Sequence, residues 1–326
     1  MKKIRLYILL NTLILFLMLV VSCASSAASA EEYFSIGMAY FELGKFPEAE
    51  RWLNRAASVK KTMIASEYNL GRIAFESGRY EDAAKHFKTV LSKDPKNVMA
   101  LKAAAYTHIK TGELLKAEEL YDQVLALVPE SADDGFNYAL VLYALGKFDN
   151  CEAVLRKYPF ALEEKPDALL LLARAQGKAN KVEAIDSFDK LLTLNTAQNT
   201  QVLYEYAQIL EKEELYARAL EQYRAGLAAF KDDQGEPKKN RIRFDIARLL
   251  LIADPGNAEG IAELNGAVGD GFNILEDIEA LLNDNRVEET QKTEISQIIE
   301  NIKNPPQVQA QSSETDPEGK PDDSEE

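Results

Sequence analysis

From residue 30 onward, the pattern of apolar and polar positions along the chain repeats at a fixed interval. Apolar residues recur three or four positions apart, a spacing that places them on one face of a helix. The repeat is clearest at four glycines, each 34 residues after the one before: Gly44, Gly78, Gly112 and Gly146. A fixed period of this length predicts an array of helix–turn–helix repeats.

The residues around these glycines repeat as well. A large apolar residue stands two positions after each glycine: Phe46, Tyr80, Leu114 and Phe148. A small residue stands five positions after it: Ala49, Ala83, Ala117 and Cys151. Another small residue stands seven positions before it: Gly37, Gly71, Ala105 and Ala139. Small residues let two helices approach closely, and a turn glycine can end the first helix in a left-handed conformation.

This combination of period and residue types resembles the tetratricopeptide repeat (TPR) family. The resemblance implies an all-α fold, a TPR-like solenoid of about six or seven helical hairpins. Four clear repeats span residues 30–63, 64–97, 98–131 and 132–165. The fourth has a short second helix that ends near Tyr158. Two weaker repeats follow, because residues 165–198 lack the turn glycine and residues 200–233 have Glu214 at the turn.

The sequence divides into five regions by period and composition. They are a lipoprotein-type signal peptide at 1–22, an Ala/Ser tether at 23–30, the TPR array at 31–233, a degenerate repeat with C-terminal capping helices at 234–303, and an acidic, Pro-containing tail at 304–326. Asn273 with Glu276, and Asn285 with Glu288, match the capping-box pattern that opens a helix. The tail has seven acids, one lysine and few apolar residues, which predicts disorder.

The first 22 residues predict export from the cytoplasm. Basic residues at positions 2, 3 and 5 precede an apolar run from Leu6 to Val21, the charged-then-apolar order of a signal peptide. The run ends in the letters VVSC at Cys23. This ending resembles a bacterial lipoprotein signal, which implies lipidation at Cys23. Cleavage after Ala30 and an uncleaved anchor stay open, but the pattern favours a membrane-anchored lipoprotein of the bacterial cell envelope, on the periplasmic face or the cell surface.

Composition and candidate chemistry argue against several functional classes. The formal net charge of −15 is unfavourable for binding a nucleic-acid backbone, which needs clustered Lys and Arg. The two histidines, His86 and His108, fall on helical patterns without neighbouring metal ligands. Cys151 holds a small-residue core position. We therefore expect no catalytic residue, no metal and no cofactor, and we predict that the protein is not an enzyme.

The TPR resemblance also implies a ligand groove lined by the first helix of each repeat. Its fifth, ninth and twelfth positions are Phe34, Met38 and Phe41 in the first repeat, Tyr68, Arg72 and Phe75 in the second, Lys102, Tyr106 and Ile109 in the third, and Phe136, Leu140 and Tyr143 in the fourth. Exposed apolar residues at such positions indicate an interaction site, with Arg72 and Lys102 available for acidic groups. Packing of the same side chains inside a tight superhelix is the alternative.

These observations predict a non-catalytic protein–protein interaction scaffold, tethered to the cell envelope by a lipid anchor. A peptide or protein of the envelope would bind in the concave groove. Two alternatives stay open, a surface-exposed adhesin for a host molecule and an accessory subunit of a cell-wall enzyme. The sequence gives no indication of the partner's identity or of the oligomeric state.

Overall fold

The computed structural model describes residues 29–60, 63–194, 199–231 and 235–304. Within those ranges the chain forms seventeen α-helices and no strand, which confirms the predicted all-α fold. The predicted signal peptide, the lipidation site at Cys23 and the acidic tail from residue 305 lie outside the described residues.

The first four repeats form four helix pairs and one short inserted helix. They are α1 (Ala30–Glu42), α2 (Phe46–Val59), α3 (Ile64–Glu76), α4 (Tyr80–Lys93), α5 (Val98–Lys110), α6 (Leu114–Leu127), α7 (Ala132–Ala144), α8 (Phe148–Leu155) and the inserted α9 (Pro159–Glu164). Each first helix packs against the second helix of its own repeat and against that of the repeat before. The predicted short second helix of the fourth repeat is confirmed, because α8 has only eight residues.

Eight further helices follow in the described residues. They are α10 (Pro166–Lys178), α11 (Glu183–Thr193), α12 (Thr200–Lys212), α13 (Tyr216–Ala228), α14 (Lys239–Ala253), α15 (Ala258–Gly269), α16 (Leu275–Asn283) and α17 (Glu289–Lys303). The chain forms two compact units, one ending at Ser187 and one beginning at Phe188. In the second unit α14 packs against α15, as the degenerate repeat predicts.

The 34-residue period holds through six repeats, although only the first four have a glycine in the turn. The first helices begin at Ala30, Ile64, Val98, Ala132, Pro166 and Thr200. Each turn contains one residue in the left-handed region at the same position of the repeat: Gly44, Gly78, Gly112 and Gly146 with φ of 69–76°, then Asn180 and Glu214 with φ of 58° and 59°. The predicted left-handed turn is confirmed at all four glycines.

Close approach of paired helices explains two of the small residues in the pattern. Gly37 and Gly71 are buried on α1 and α3. A Cβ atom on Gly37 would lie 2.8 Å from Cγ of Leu53, and one on Gly71 would lie 2.6 Å from Cε1 of Phe87. Distances below about 3 Å are too short for carbon atoms in contact. The helix pairs of the first two repeats therefore depend on glycine here.

The second compact unit combines stacked rings with a buried ionic network. The ring of Phe244 stacks on that of Phe272 at 4.3 Å between centroids. Asp245 is buried and accepts hydrogen bonds from Tyr204 Oη at 2.6 Å and Arg241 Nε at 3.0 Å. Buried charges are tolerated when they are paired and hydrogen-bonded in this way.

Both predicted capping boxes near the end of the chain are wrong, although a helix follows each of the two motifs. The helices begin at Leu275 and Glu289, and neither residue preceding them makes a side-chain cap. The ring of Phe272 stacks on that of Phe244 just before the first of these helices. Before the second helix, the backbone N–H of Arg286 donates to the Asp284 carboxylate at 2.9 Å, which forms a turn instead.

Candidate functional site

The twelve predicted groove residues lie on α1, α3, α5 and α7, at matching positions of the four repeats. We call the surface that they define the first-helix face. None of the twelve is fully buried. Tyr106 and Leu140 are the most accessible, with 46% and 42% of their surface exposed, and the other ten are half-buried. The accessible apolar surface of this face is therefore concentrated in the third and fourth repeats.

The twelfth-position side chains pack against the second helix of their own repeat. The ring of Phe41 lies 5.7 Å from that of Phe46, and the ring of Phe75 lies 5.3 Å from that of Tyr80. In the fourth repeat Tyr143 meets Phe148 at 5.3 Å. Ring pairs at these separations stabilise the packing by about 0.5–1.5 kcal/mol each. These residues pack at the turn end of three of the four hairpins, and each stays half-buried.

A second set of contacts links neighbouring repeats along the face. The guanidinium of Arg72 lies 4.4 Å from the ring centroid of Phe41, and the ring of Tyr106 lies 5.2 Å from that of Phe75. In both cases the twelfth position of one repeat meets the ninth position of the next. Each of these two contacts joins a pair of neighbouring repeats.

The two predicted ligand-binding cations already have partners within the protein. Arg72 stacks on Phe41 and donates to the side-chain oxygen of Asn69 at 3.1 Å. Lys102 forms a 2.7 Å ion pair with the buried carboxylate of Asp134 in the next repeat. Both cations therefore help to hold the face together, and Lys102 keeps part of its ammonium in solvent.

Two further residues of α5 belong to this region and were not predicted. Met99 stands at the second position of the helix and is 63% exposed. Lys110 stands at the thirteenth position, with its ammonium 5.2 Å from the ring centroid of Tyr106. The TPR resemblance also assigns the second and thirteenth positions of the first helix to the groove, so applying it at all five positions would have included both residues.

The two histidines and Cys151 are the described side chains to consider for metal binding or nucleophilic chemistry. No group of three or more His, Cys, Asp or Glu side chains there could hold a metal ion. Nδ1 of His86 lies 3.0 Å from Glu67, and Nδ1 of His108 lies 2.7 Å from Glu113, so each imidazole has one carboxylate partner. Burial raises the pKa of the Cys151 thiol to about 12, which keeps it protonated and unreactive at neutral pH.

Family models for the tetratricopeptide repeat match residues 30–62, 68–132 and 167–195. These three segments are tetratricopeptide repeats. The third match covers most of α10 and α11, in the repeat whose turn has Asn180 in place of glycine. TPR repeats generally form non-catalytic scaffolds, so the fold supports a role in protein–protein interaction with a protein or peptide partner.

Two solved TPR structures share the fold. A tetratricopeptide repeat protein from Parabacteroides merdae ATCC 43184 aligns with a TM-score of 0.52 at 20% identity, over 77% of this chain and 97% of that one. YrrB, a TPR protein with an unusual peptide-binding site, aligns with a TM-score of 0.50 at 16% identity, over 56% of this chain and 93% of that one. These likenesses show the fold, a TPR helical solenoid.

The chain is also similar in sequence to an uncharacterized lipoprotein of Treponema pallidum (strain Nichols). The two are 27% identical over 151 residues, which is 46% of this chain and 77% of that relative. Among the described residues, no helix is both long enough and apolar enough to cross a bilayer.

Proposed function

We propose that this TPR protein is an envelope scaffold that binds an apolar segment of a partner protein on the first-helix face. The exposure of Tyr106 and Leu140, at equivalent positions of neighbouring repeats, carries the proposal. Large apolar residues that stay accessible beside one another mark interaction sites. Both helices are held by the hairpin packing described above, so a ligand would meet a rigid surface and little ordering of the protein would oppose binding.

The surroundings of Tyr106 indicate which ligand chemistry the face favours. Its ring is tilted by 36° against the ring of Phe75, and the Lys110 ammonium lies over it. Lys102, on the same helix, is partly solvated beside Asp134. An apolar anchor of the partner would cover Leu140 and the free edge of Tyr106, while a carboxylate beside that anchor could meet Lys102 or Lys110.

The location proposed for the scaffold is the outer side of a membrane, anchored by lipid at Cys23. The VVSC motif and the similarity to a lipoprotein both support this proposal. The start of α1 supports it further. Ser29 caps the helix: its backbone N–H donates to Glu32 at 2.7 Å, and its Oγ accepts from the Glu32 N–H at 3.1 Å. Cleavage after Ala30 would remove this cap and the buried Ala30, which disfavours that alternative.

The test is a cross-linked pull-down from intact cells with native protein and a Tyr106→Glu, Leu140→Glu double variant. Both side chains are exposed, so the new charges would disturb the face more than the fold. We expect native protein to capture a partner and the variant to lose it. The identity of that partner separates a scaffold from an adhesin or an accessory subunit.

The matched control is a Val59→Glu, Val182→Glu double variant. These two valines are also exposed, but they lie outside the first-helix face. Circular dichroism should show native helix content for both double variants. Equal capture by native protein and by the Tyr106→Glu, Leu140→Glu variant would overturn the proposal, and so would loss of capture in the control.

A further inference from the structure

A recurring ion pair links the second helix of one repeat to the turn of the next. The acid is always the fifth residue of the second helix, and the base always follows the left-handed residue of the next turn. The pairs are Glu50 with Arg79 at 2.8 Å, Glu118 with Lys147 at 2.7 Å, and Glu152 with Lys181 at 2.8 Å. We call this contact the junction ion pair. It joins repeats one and two, three and four, and four and five.

The junction between repeats two and three lacks this ion pair. The position of the acid is occupied by Ala84, and the position of the base is occupied by an acid, Glu113. Glu113 instead accepts hydrogen bonds from Lys116 and from Thr111 Oγ1 and contacts the His108 ring. Hydrogen bonds from Lys116 and His108 lower the pKa of Glu113 to about 2. This carboxylate is therefore ionised and already satisfied by its own repeat.

A cleft of about 710 Å³ opens at this junction, between α4 and α6. Its apolar lining includes Leu91, Ala104 and Leu120. Ala84 also lines it, at the position where the three junctions with the ion pair have glutamate. The volume lies within the range of roughly 300–1,000 Å³ typical of ligand pockets. None of the twelve residues of the first-helix face lines it, so the two surfaces are separate.

Three of the five Lys, Arg, Asp and Glu residues that line the cleft are lysines, in a chain whose formal net charge is −15. Lys85, Lys88 and Lys116 line it, together with Glu81 and the internally bonded Glu113. The Lys85 and Lys116 side chains are exposed, and each has a carboxylate partner on its own helix or turn. Lys88 is exposed and has no ion-pair partner among the described residues. Lysines around an apolar floor complement a ligand that has carboxylates around an apolar side chain.

We propose that this junction cleft binds an acidic peptide segment of a partner protein. An apolar side chain of the segment enters the space beside Ala84 and packs on Leu91 and Leu120. Its carboxylates pair with Lys85, Lys88 and Lys116. The carboxylates of the partner thus bind at a junction whose own acid position is Ala84.

The test restores the missing ion pair. The double variant Ala84→Glu, Glu113→Lys copies the chemistry of the neighbouring junctions, so it should fold and be at least as stable as native protein. The probe is a fluorescein-labelled peptide of Glu, Leu and Gly, measured by anisotropy. We expect the double variant to bind this probe at least tenfold more weakly, a change of about 1.4 kcal/mol. Glu130→Gln is the control, because it changes the net charge equally at an exposed site outside the cleft.

Three results would overturn the proposal. The first is that native protein and the double variant bind the probe with equal affinity. The second is that the probe shows no saturable binding to native protein up to about 1 mM. The third is that a peptide with Lys in place of Glu binds native protein as tightly as the probe does. Lys88→Gln is a second variant that removes one exposed charge without altering packing, and it should weaken binding as well. The Tyr106→Glu, Leu140→Glu variant should bind the acidic probe normally, which distinguishes this site from the first-helix face.

Discussion

At the scale of single residues, two turns keep the left-handed conformation of the repeat without a glycine. Asn180 and Glu214 occupy the left-handed region at the position where the earlier repeats have glycine. Asparagine tolerates this conformation because its short side chain can bond locally, whereas a longer side chain is strained there. Packing of the flanking helices therefore imposes the turn at Glu214 against the preference of the residue.

Replacing Glu214 by glycine should stabilise the protein. The left-handed conformation costs a residue with a side chain roughly 1–2 kcal/mol, and the extra freedom of glycine in the unfolded chain offsets about 0.4–1 kcal/mol of that gain. We expect the free energy of unfolding, measured by urea titration, to rise by about 0.5–1 kcal/mol. The control is Glu213→Gly. Glu213 has a φ of −86°, outside the left-handed region, so glycine at this position should lower the free energy of unfolding. A loss of stability in Glu214→Gly would contradict the left-handed turn.

Partners of individual side chains were the part of the candidate site that the sequence could not predict. The positional pattern places the twelve residues on the first helices of four repeats. It does not reveal that Arg72 and Lys102 contact Phe41 and Asp134 of adjacent repeats. Such contacts depend on how far neighbouring helices are separated and on which rotamer fits between them. For the same reason the pattern does not reveal that Tyr106 and Leu140 stay accessible while Met38 and Phe75 are half-buried.

At the scale of helices, periodicity alone predicts most of the architecture. The turn glycines and the small residues define helix pairs whose starts agree with the structure from the first repeat to the fourth. The weak point is the start of the last two helices. There a capping motif is present in the sequence, but the helices begin at Leu275 and Glu289 without a side-chain cap.

The contact between α3 and α4 makes Gly71 a sensitive position. Gly71→Ala would place Cβ 2.6 Å from the buried ring of Phe87. Because neither backbone can move away freely, we expect a loss of about 1–3 kcal/mol in the free energy of unfolding, the usual effect of overpacking a core. Chemical denaturation followed by circular dichroism measures it.

A double-mutant cycle with Phe87→Leu identifies the cause of that loss. Phe87→Leu should destabilise the protein by itself because it leaves a cavity. Combined with Gly71→Ala, it makes room for the new methyl group. The double variant should therefore lose less free energy of unfolding than the sum of the losses in the two single variants. Strict additivity would show that the alanine acts through something other than the ring.

At the scale of the whole molecule, the proposed lipid anchor predicts that membrane association depends on Cys23. We expect native protein to take up an alkyne-labelled fatty acid in cells and to fractionate with membranes, because several acyl chains on one residue bind a bilayer firmly. Cys23→Ser should lose the label and be processed differently, whereas Ser22→Ala keeps a small residue before the cysteine and should retain it. Labelling of Cys23→Ser, or a mature N-terminus at Glu31, would contradict lipidation at Cys23.

The equal length of the repeats has a consequence for how this protein can change over generations. Removal of residues 84–117 would join Ala83 to Glu118 and leave a second helix of unchanged length and phase. Each remaining junction up to Lys181 would then have its ion pair, and the junction cleft would vanish. A single in-frame recombination between neighbouring copies can thus delete or create this cleft, while the hairpins on either side stay intact.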